Sequence, residues 1–293
     1  PRFAAARDQY KKTITELLTL AGYDRAAERA AAVYALEEKI AKAHWTRVES
    51  RQIDKLYNPV ARTAVDRTYP GFAWTPFLTA AGLDGQPQII IANPSAVKGA
   101  AALFQSEPLE VWKDYMAVHT LSEAAAFLPK GFVDAQFALN KVLSGQPELQ
   151  PRWKRAVDYT SAVLGEAAGE LYVAKYFPPV AKAKADEMVK NIIAAMDARL
   201  ANLAWMDPKT RAAAREKLAS FTPKIGYPDK WRDYSKLEII RGDALGNGRR
   251  AFRFEYDRNL AKIGKPIDKS EWGMTPMTVN AYANPLWNEI VFP

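Results

Sequence analysis

The chain has 293 residues, 48% apolar and 25% charged, a balance suited to one or two globular domains and unlike that of a disordered or fibrous chain. It has no cysteine, which removes disulfides, thiolate nucleophiles and Cys-ligated zinc together, and no uncharged apolar run approaches the roughly 18 residues of a membrane-spanning helix. The formal charge of +8 arises from 41 Lys and Arg against 33 Asp and Glu, interleaved as at Lys182, Lys184, Asp186 and Glu187, which describes a solvated face and no nucleic-acid surface.

In chain order, Pro1 to Val48 is rich in good helix formers, with a break at Gly22. Ile14, Leu17, Leu18 and Ala21 recur at helical spacing, as do Val33, Leu36 and Ile40, and Asp24 is placed to cap the second helix. Residues 51–99 carry five prolines and four glycines among short apolar runs. They predict short helices and loops with one extended segment at Gln88–Ala92. A helix is expected from Ser106, with Leu109, Trp112, Met116 and His119 along one apolar face, and another over Val133–Ser144, ending at Gly145. Helical character then runs from Arg152 to Phe177 and from Val180 to Ala204, broken by Pro178-Pro179. Met188, Ile192, Met196, Leu200 and Leu203 form an apolar stripe in the second of these.

Asp207-Pro208 reads as an N-cap followed by the first residue of a helix over Lys209–Ser220. Gly242 to Gly248 reads as turn, and Ala251–Ile263 as a further helix. Thr278–Tyr282 and Glu289–Phe292 flank an Asn- and Pro-rich loop and predict a β-hairpin.

Catalytic chemistry is harder to place. The only histidines, His44 and His119, lack the H-E-x-x-H spacing that puts two ligands and a general base on one helix face. His119 on its apolar stripe reads as a satisfied core residue, and His44 beside Trp45 similarly. No nucleophile elbow, phosphate loop or dinucleotide fingerprint occurs, and Glu37-Glu38 and Asp186-Glu187 are sequence neighbours that do not face each other. The chain therefore carries no self-sufficient active site, so no catalytic and no metal-ligating residue is assigned in it. Asn280 and Ala281, in the middle of the expected strand, could offer hydrogen bonds to a peptide backbone, or Asn280 could serve only its own neighbours. From the residues alone, a helical binding or scaffold module without chemistry, its anionic partner suggested by the net charge, also stays open.

Val279-Asn280-Ala281-Tyr282 followed by Asn288-Glu289-Ile290-Val291-Phe292-Pro293 resembles the substrate-binding strand of the neprilysin and endothelin-converting-enzyme family of zinc endopeptidases, in its bacterial form. Colinear matches upstream include Ser144-Gly145-Gln146-Pro147, Pro151-Arg152-Trp153-Lys154-Arg155, Gly169-Glu170-Leu171-Tyr172-Val173 and Ala204-Trp205-Met206-Asp207-Pro208. Lys224-Ile225-Gly226-Tyr227-Pro228 and Glu271-Trp272-Gly273-Met274 complete the set.

The resemblance implies a mainly α fold. A helical substrate-enclosing domain is expected over residues 1–264, irregular at 51–99, and the start of a catalytic domain with its β-hairpin over residues 265–293. It further implies a role as the non-catalytic portion of an exported, oligopeptide-cleaving zinc enzyme. The zinc, its ligands and the catalytic Glu would belong to the catalytic C-terminal portion of the same protein and not to this chain. Asn280 would bind the substrate backbone through its side chain, and Ala281 through its carbonyl. Where the family carries a second aromatic after Tyr282, this chain has Ala283. Pro1 without an initiator Met or signal stretch, and a final residue inside a strand-like run, are expected of a fragment.

Overall fold

The computed structural model describes residues 3–293, which form two compact units that divide between Leu149 and Gln150. The chain is mainly helical, with few and short strands.

The first unit is built on α1 (Ala4–Leu20) and α2 (Ala26–Ala43). After the short α3 (Ile53–Leu56), α4 (Val65–Thr68) and α5 (Trp74–Ala80) come α6 (Pro94–Ser106), α7 (Leu109–Ala124) and α8 (Lys130–Ser144). The spacing at Ile14, Leu17 and Leu18 buries all three. Ile14 and Leu18 meet Ala30, Val33 and Val118 of α2 and α7, while Leu17 meets Phe132 and Ala135 of α8. Thr13 sits in the same seam, and its hydroxyl donates to the Ala135 carbonyl at 3.2 Å, which satisfies a group that would be costly to bury unpaired.

A separate cluster of Val65, Tyr69, Leu78 and Ile91 closes the proline-rich section. There β1 (Pro59–Ala61) pairs antiparallel with β2 (Gln88–Ile90), so the expected extended segment has a partner that the sequence did not disclose.

Three readings of this unit need correction. Asp24 does not cap α2; Arg25 precedes the helix in a left-handed conformation, and Asp24 instead accepts from Arg29, which also clamps the buried Asp114 at 2.8 Å. The helix expected from Ser106 begins at Leu109, because α6 occupies Pro94–Ser106 behind its own Asn93 cap. The buried residues of α7 are Asp114 and Val118, and Met116 on the supposed apolar face is 61% exposed.

The second unit contains α9 (Arg152–Val163), α10 (Gly165–Tyr176), α11 (Pro179–Ala201), α12 (Pro208–Ala219) and α13 (Ala244–Leu260). Arg152 to Phe177 is thus two helices, divided at Leu164. Asp207 caps α12 as its sequence suggests, accepting from the Lys209 and Thr210 amides. The run Gly242–Gly248 is not all turn: Asp243 caps α13 at Gly246, and the helix starts seven residues earlier than expected. Gly248 inside it lies where a Cβ would meet the Tyr159 hydroxyl of α9 at 2.1 Å, so its small size sets how closely the two helices approach.

A three-stranded sheet of order β3-β5-β4 completes the unit, with β3 (Thr222–Ile225) parallel and β4 (Tyr282–Asn284) antiparallel to the central β5 (Glu289–Phe292). Few apolar side chains are fully buried here. Aromatic contacts between Phe177, Tyr227 and Trp231 take their place, together with a chain of ion pairs linking Glu166, Arg232, Glu255, Arg258, Glu271 and Lys262. Burial works to raise the Glu271 carboxyl, but Lys262 and Arg258 outweigh it and hold the group below its ordinary range.

Candidate functional site: the terminal hairpin

The hairpin forms because alternating residues at Tyr282–Asn284 and Glu289–Phe292 face a tight loop. In that loop Asn288 takes φ of 51°, a conformation that asparagine tolerates. The Asn288 amide donates to the Lys217 carbonyl at 2.8 Å and the Ser220 hydroxyl at 2.9 Å, which ties the loop to the end of α12. The strand is shorter than the sequence suggests. It begins at Tyr282, so Asn280 and Ala281 lie on the segment leading into it rather than in its middle. The reason is local: the Asn280 amide closes a tight turn onto the Thr278 carbonyl at 3.0 Å, and the Asn280 side-chain oxygen accepts from the Ala281 amide at 2.8 Å. Such self-bonding competes with a strand ladder.

The ladder fixes which backbone groups stay available. The Thr222 amide donates to Asn288 and the Gly226 amide to Phe292, so the even-numbered residues of β5 turn their backbone groups toward β3. Glu289 and Val291 then face β4, where their partners are Asn284 and Tyr282. Ala283, between them, directs its N–H and C=O to the outer edge, which no strand of the sheet covers. Asn280 is exposed, with a side-chain NH₂ that has no partner among the described residues, and Val279 beside it is fully exposed. Tyr282 is anchored, its phenolic oxygen accepting from the Gly273 amide at 2.8 Å.

Behind the edge lies a feature that sequence reasoning missed. Lys224 of β3 and Glu289 of β5 form an ion pair at 2.7 Å, with side chains only 8% and 1% exposed. The lysine also donates to the Glu271 carbonyl at 2.9 Å and lies over the Trp287 ring. The approach to Glu289 is off the hydrogen-bond line, so the carboxylate is held by charge while neither oxygen receives a hydrogen bond. Nothing in the local sequence announces this pair, because its members come from strands 65 positions apart that the fold alone brings together.

Both histidines belong to the first unit. His119 is not a core residue: its side chain is 43% exposed and its Nε2 lies 3.0 Å from Glu37, whose carboxylate also accepts from the Tyr10 hydroxyl at 2.7 Å. The group ties α1, α2 and α7 together. Among the described residues no three His, Asp or Glu side chains converge as a metal-ligand set.

The family model described as Peptidase family M13 matches residues 1–228. The chain belongs to peptidase family M13. It is 30% identical to an endothelin-converting enzyme homolog from Locusta migratoria over 89% of its length and 38% of that protein's. It is 28% identical to human endothelin-converting enzyme 1 over 94% of its length and 38% of that protein's. The solved structure of the Mycobacterium tuberculosis zinc metalloprotease Zmp1 with an inhibitor matches the whole chain at a TM-score of 0.92 and 38% identity, covering 45% of that chain. PepO from Lactobacillus rhamnosis, at 23% identity and a TM-score of 0.86, shares the fold. The chain thus spans less than half the length of these M13 relatives, and its fold is theirs over the part it spans.

Proposed function

We propose that this M13 chain is the non-catalytic portion of a zinc-dependent endopeptidase acting on oligopeptides, in which its helices wall the substrate cavity and the segment from Asn280 to Asn284 aligns the peptide. One observation carries this reading: an uncovered strand edge at Ala283, preceded by an exposed Asn280 with a free amide donor. An extended peptide laid along such an edge gains main-chain hydrogen bonds whatever its sequence, which suits a peptidase that must hold many substrates in one register. The Asn280 NH₂ would donate to a substrate carbonyl, and the Ala281 carbonyl would accept from a substrate amide. Zinc, its ligands and the general base would come from the catalytic C-terminal portion of the same protein. On this reading residues 1–264 serve as the enclosing part and residues 265–293 as the start of the catalytic domain, and the enzyme works outside the cytoplasm.

The test is peptide cleavage by the full-length protein with and without a chelator, followed by restoration with zinc. Activity that survives chelation, or no cleavage of any peptide, would sink the proposal. Replacing Asn280 by Ala should lower kcat/KM by the equivalent of about 1–3 kcal/mol, the cost of one lost hydrogen bond to the substrate backbone. An unchanged value removes Asn280 from the alignment segment.

A further inference from the structure

We infer that Thr275 and Thr278 are positioning residues for Asn280, and that two glycines of α10 form the seat on which their turn is mounted. The inference rests on the peptide-aligning role of Asn280 proposed above and adds how that side chain is aimed before a peptide arrives.

The segment from Gly273 to Tyr282 lies outside the helices and enters β4 only at its last residue. It is nonetheless tied together. The Gly273 amide donates to the Tyr282 hydroxyl at 2.8 Å, which closes the segment into a loop. Inside it the backbone N–H of Thr278 donates to the Thr275 carbonyl, and that of Asn280 to the Thr278 carbonyl, both at 3.0 Å. The Thr275 and Thr278 hydroxyls share a hydrogen bond at 2.9 Å, so the first of these turns is fastened through side chains as well as backbone. Asn280 ends the second turn. Its side-chain oxygen is taken by the Ala281 amide at 2.8 Å, which sets the rotation of the carboxamide and leaves the NH₂ free for a visiting carbonyl.

The turn is seated on a helix. Pro276 is buried, and its ring and the Thr275 methyl group press onto α10 at Gly169 and Gly165. These glycines stand one helical turn apart, and both are buried. A Cβ on Gly165 would come within 2.6 Å of the Thr275 methyl, and one on Gly169 within 2.7 Å of the Pro276 ring. Glycine weakens a helix interior, and here the two positions supply the room that the turn occupies. The start of α10 is itself held, since the Glu166 amide donates to the Tyr234 hydroxyl at 3.3 Å and the Glu166 carboxylate accepts from the Arg232 amide at 2.7 Å.

The path from the buried helix to the exposed donor is therefore short and cross-linked. A donor already aimed has little freedom left to lose when a substrate carbonyl arrives, and a misplacement of about 1 Å can cost on the order of 100-fold in rate. The bond between the two threonine hydroxyls lies within the turn and acts on the peptide through Asn280.

The experiment measures peptide cleavage by the full-length protein. Thr278→Val keeps the shape and removes the hydroxyl, and should lower kcat/KM about tenfold, whereas Thr278→Ser should stay within about twofold of native. In an Asn280→Ala background, Thr278→Val should change kcat/KM by less than about twofold, because the group it aims has gone. Thr275→Val removes the other half of the same bond and should reproduce this pattern, which keeps the test intact if Thr278→Val folds poorly. Gly169→Ala, which crowds Pro276, should show the same dependence on Asn280. Losses of equal size with and without Asn280, or no loss in these variants, overturn the positioning role and leave Asn280 in the alignment segment. If Asn280→Ala is itself without effect, or no peptide is cleaved, the alignment reading fails and the positioning role falls with it.

Discussion

Two buried or half-buried polar contacts decide how individual residues hold this chain. Lys224 and Glu289 form the only fully enclosed ion pair of the second unit among the described residues, and neither carboxylate oxygen has a hydrogen bond to soften the loss of water. Removing one partner strands the other charge, so Lys224→Met should destabilise the protein by about 3–5 kcal/mol in urea unfolding. The double variant Lys224→Met, Glu289→Leu should recover most of that loss, since an apolar pair carries no desolvation cost. A double variant as unstable as the single one would mean that the pair acts through shape rather than charge. In the first unit, burial first and the hydrogen bond and charge of Glu37 next push the Tyr10 phenol well above its ordinary value of 10.0. A group whose pKa is raised by folding stabilises the fold fully below its unfolded pKa and loses that contribution as pH rises beyond it. Tyr10→Phe should therefore cost about 1 kcal/mol at neutral pH and progressively less above pH ~10, where the native protein's own advantage fades. A gap between the two melting curves that stays constant from pH 8 to 11 would count against the Tyr10–Glu37 bond.

At the scale of elements, the sequence marks helices best where cap and period agree. Asp207-Pro208 opens α12 as read, and Ile14, Leu17 and Leu18 pack as their spacing requires. Asn93-Pro94 carries the same cap signature for α6, yet the surrounding prolines made that stretch look irregular throughout. The glycines within the first turns of α13 misled in the other direction, since Gly248 is there for close helix packing and not for a turn. The hairpin was legible from its alternation, but β3 was not, because a four-residue strand containing a proline has no pattern of its own and exists only through β5. For the same reason the candidate site was only half legible: Asn280 and Ala281 could be named as candidates, while the Lys224–Glu289 pair behind them depends on strands 65 positions apart. The end of β3 also sets a steric limit. Gly226 has φ of 80° and lies where a Cβ would come within 2.4 Å of the Phe177 ring. Gly226→Ala should cost about 2 kcal/mol or more, from a strained backbone and an overpacked contact together. A thermal melt within a degree of native would refute both.

For the molecule as a whole, α11 presents the least expected surface. The stripe of Met188, Ile192 and Met196 is regular in sequence, yet the three side chains are 58%, 59% and 49% exposed, and no residue of the helix is fully buried. A face of that kind binds hydrophobic dyes and promotes self-association in a chain handled alone. Met188→Lys with Ile192→Lys should reduce dye fluorescence and aggregation of the isolated chain while changing its unfolding free energy by less than about 0.5 kcal/mol. A large loss of stability would instead place the stripe inside the unit's packing. The sheet has a different kind of boundary. In β3, Pro223 lies at the position whose backbone turns away from β5, and proline has no N–H to give. An arriving strand therefore finds no donor in the middle of that margin. Of the sheet's two margins, only the one at Ala283 has a backbone donor at its centre. A single imino acid on the far side thus makes the sheet lopsided, open to strand addition along one margin and discouraged along the other.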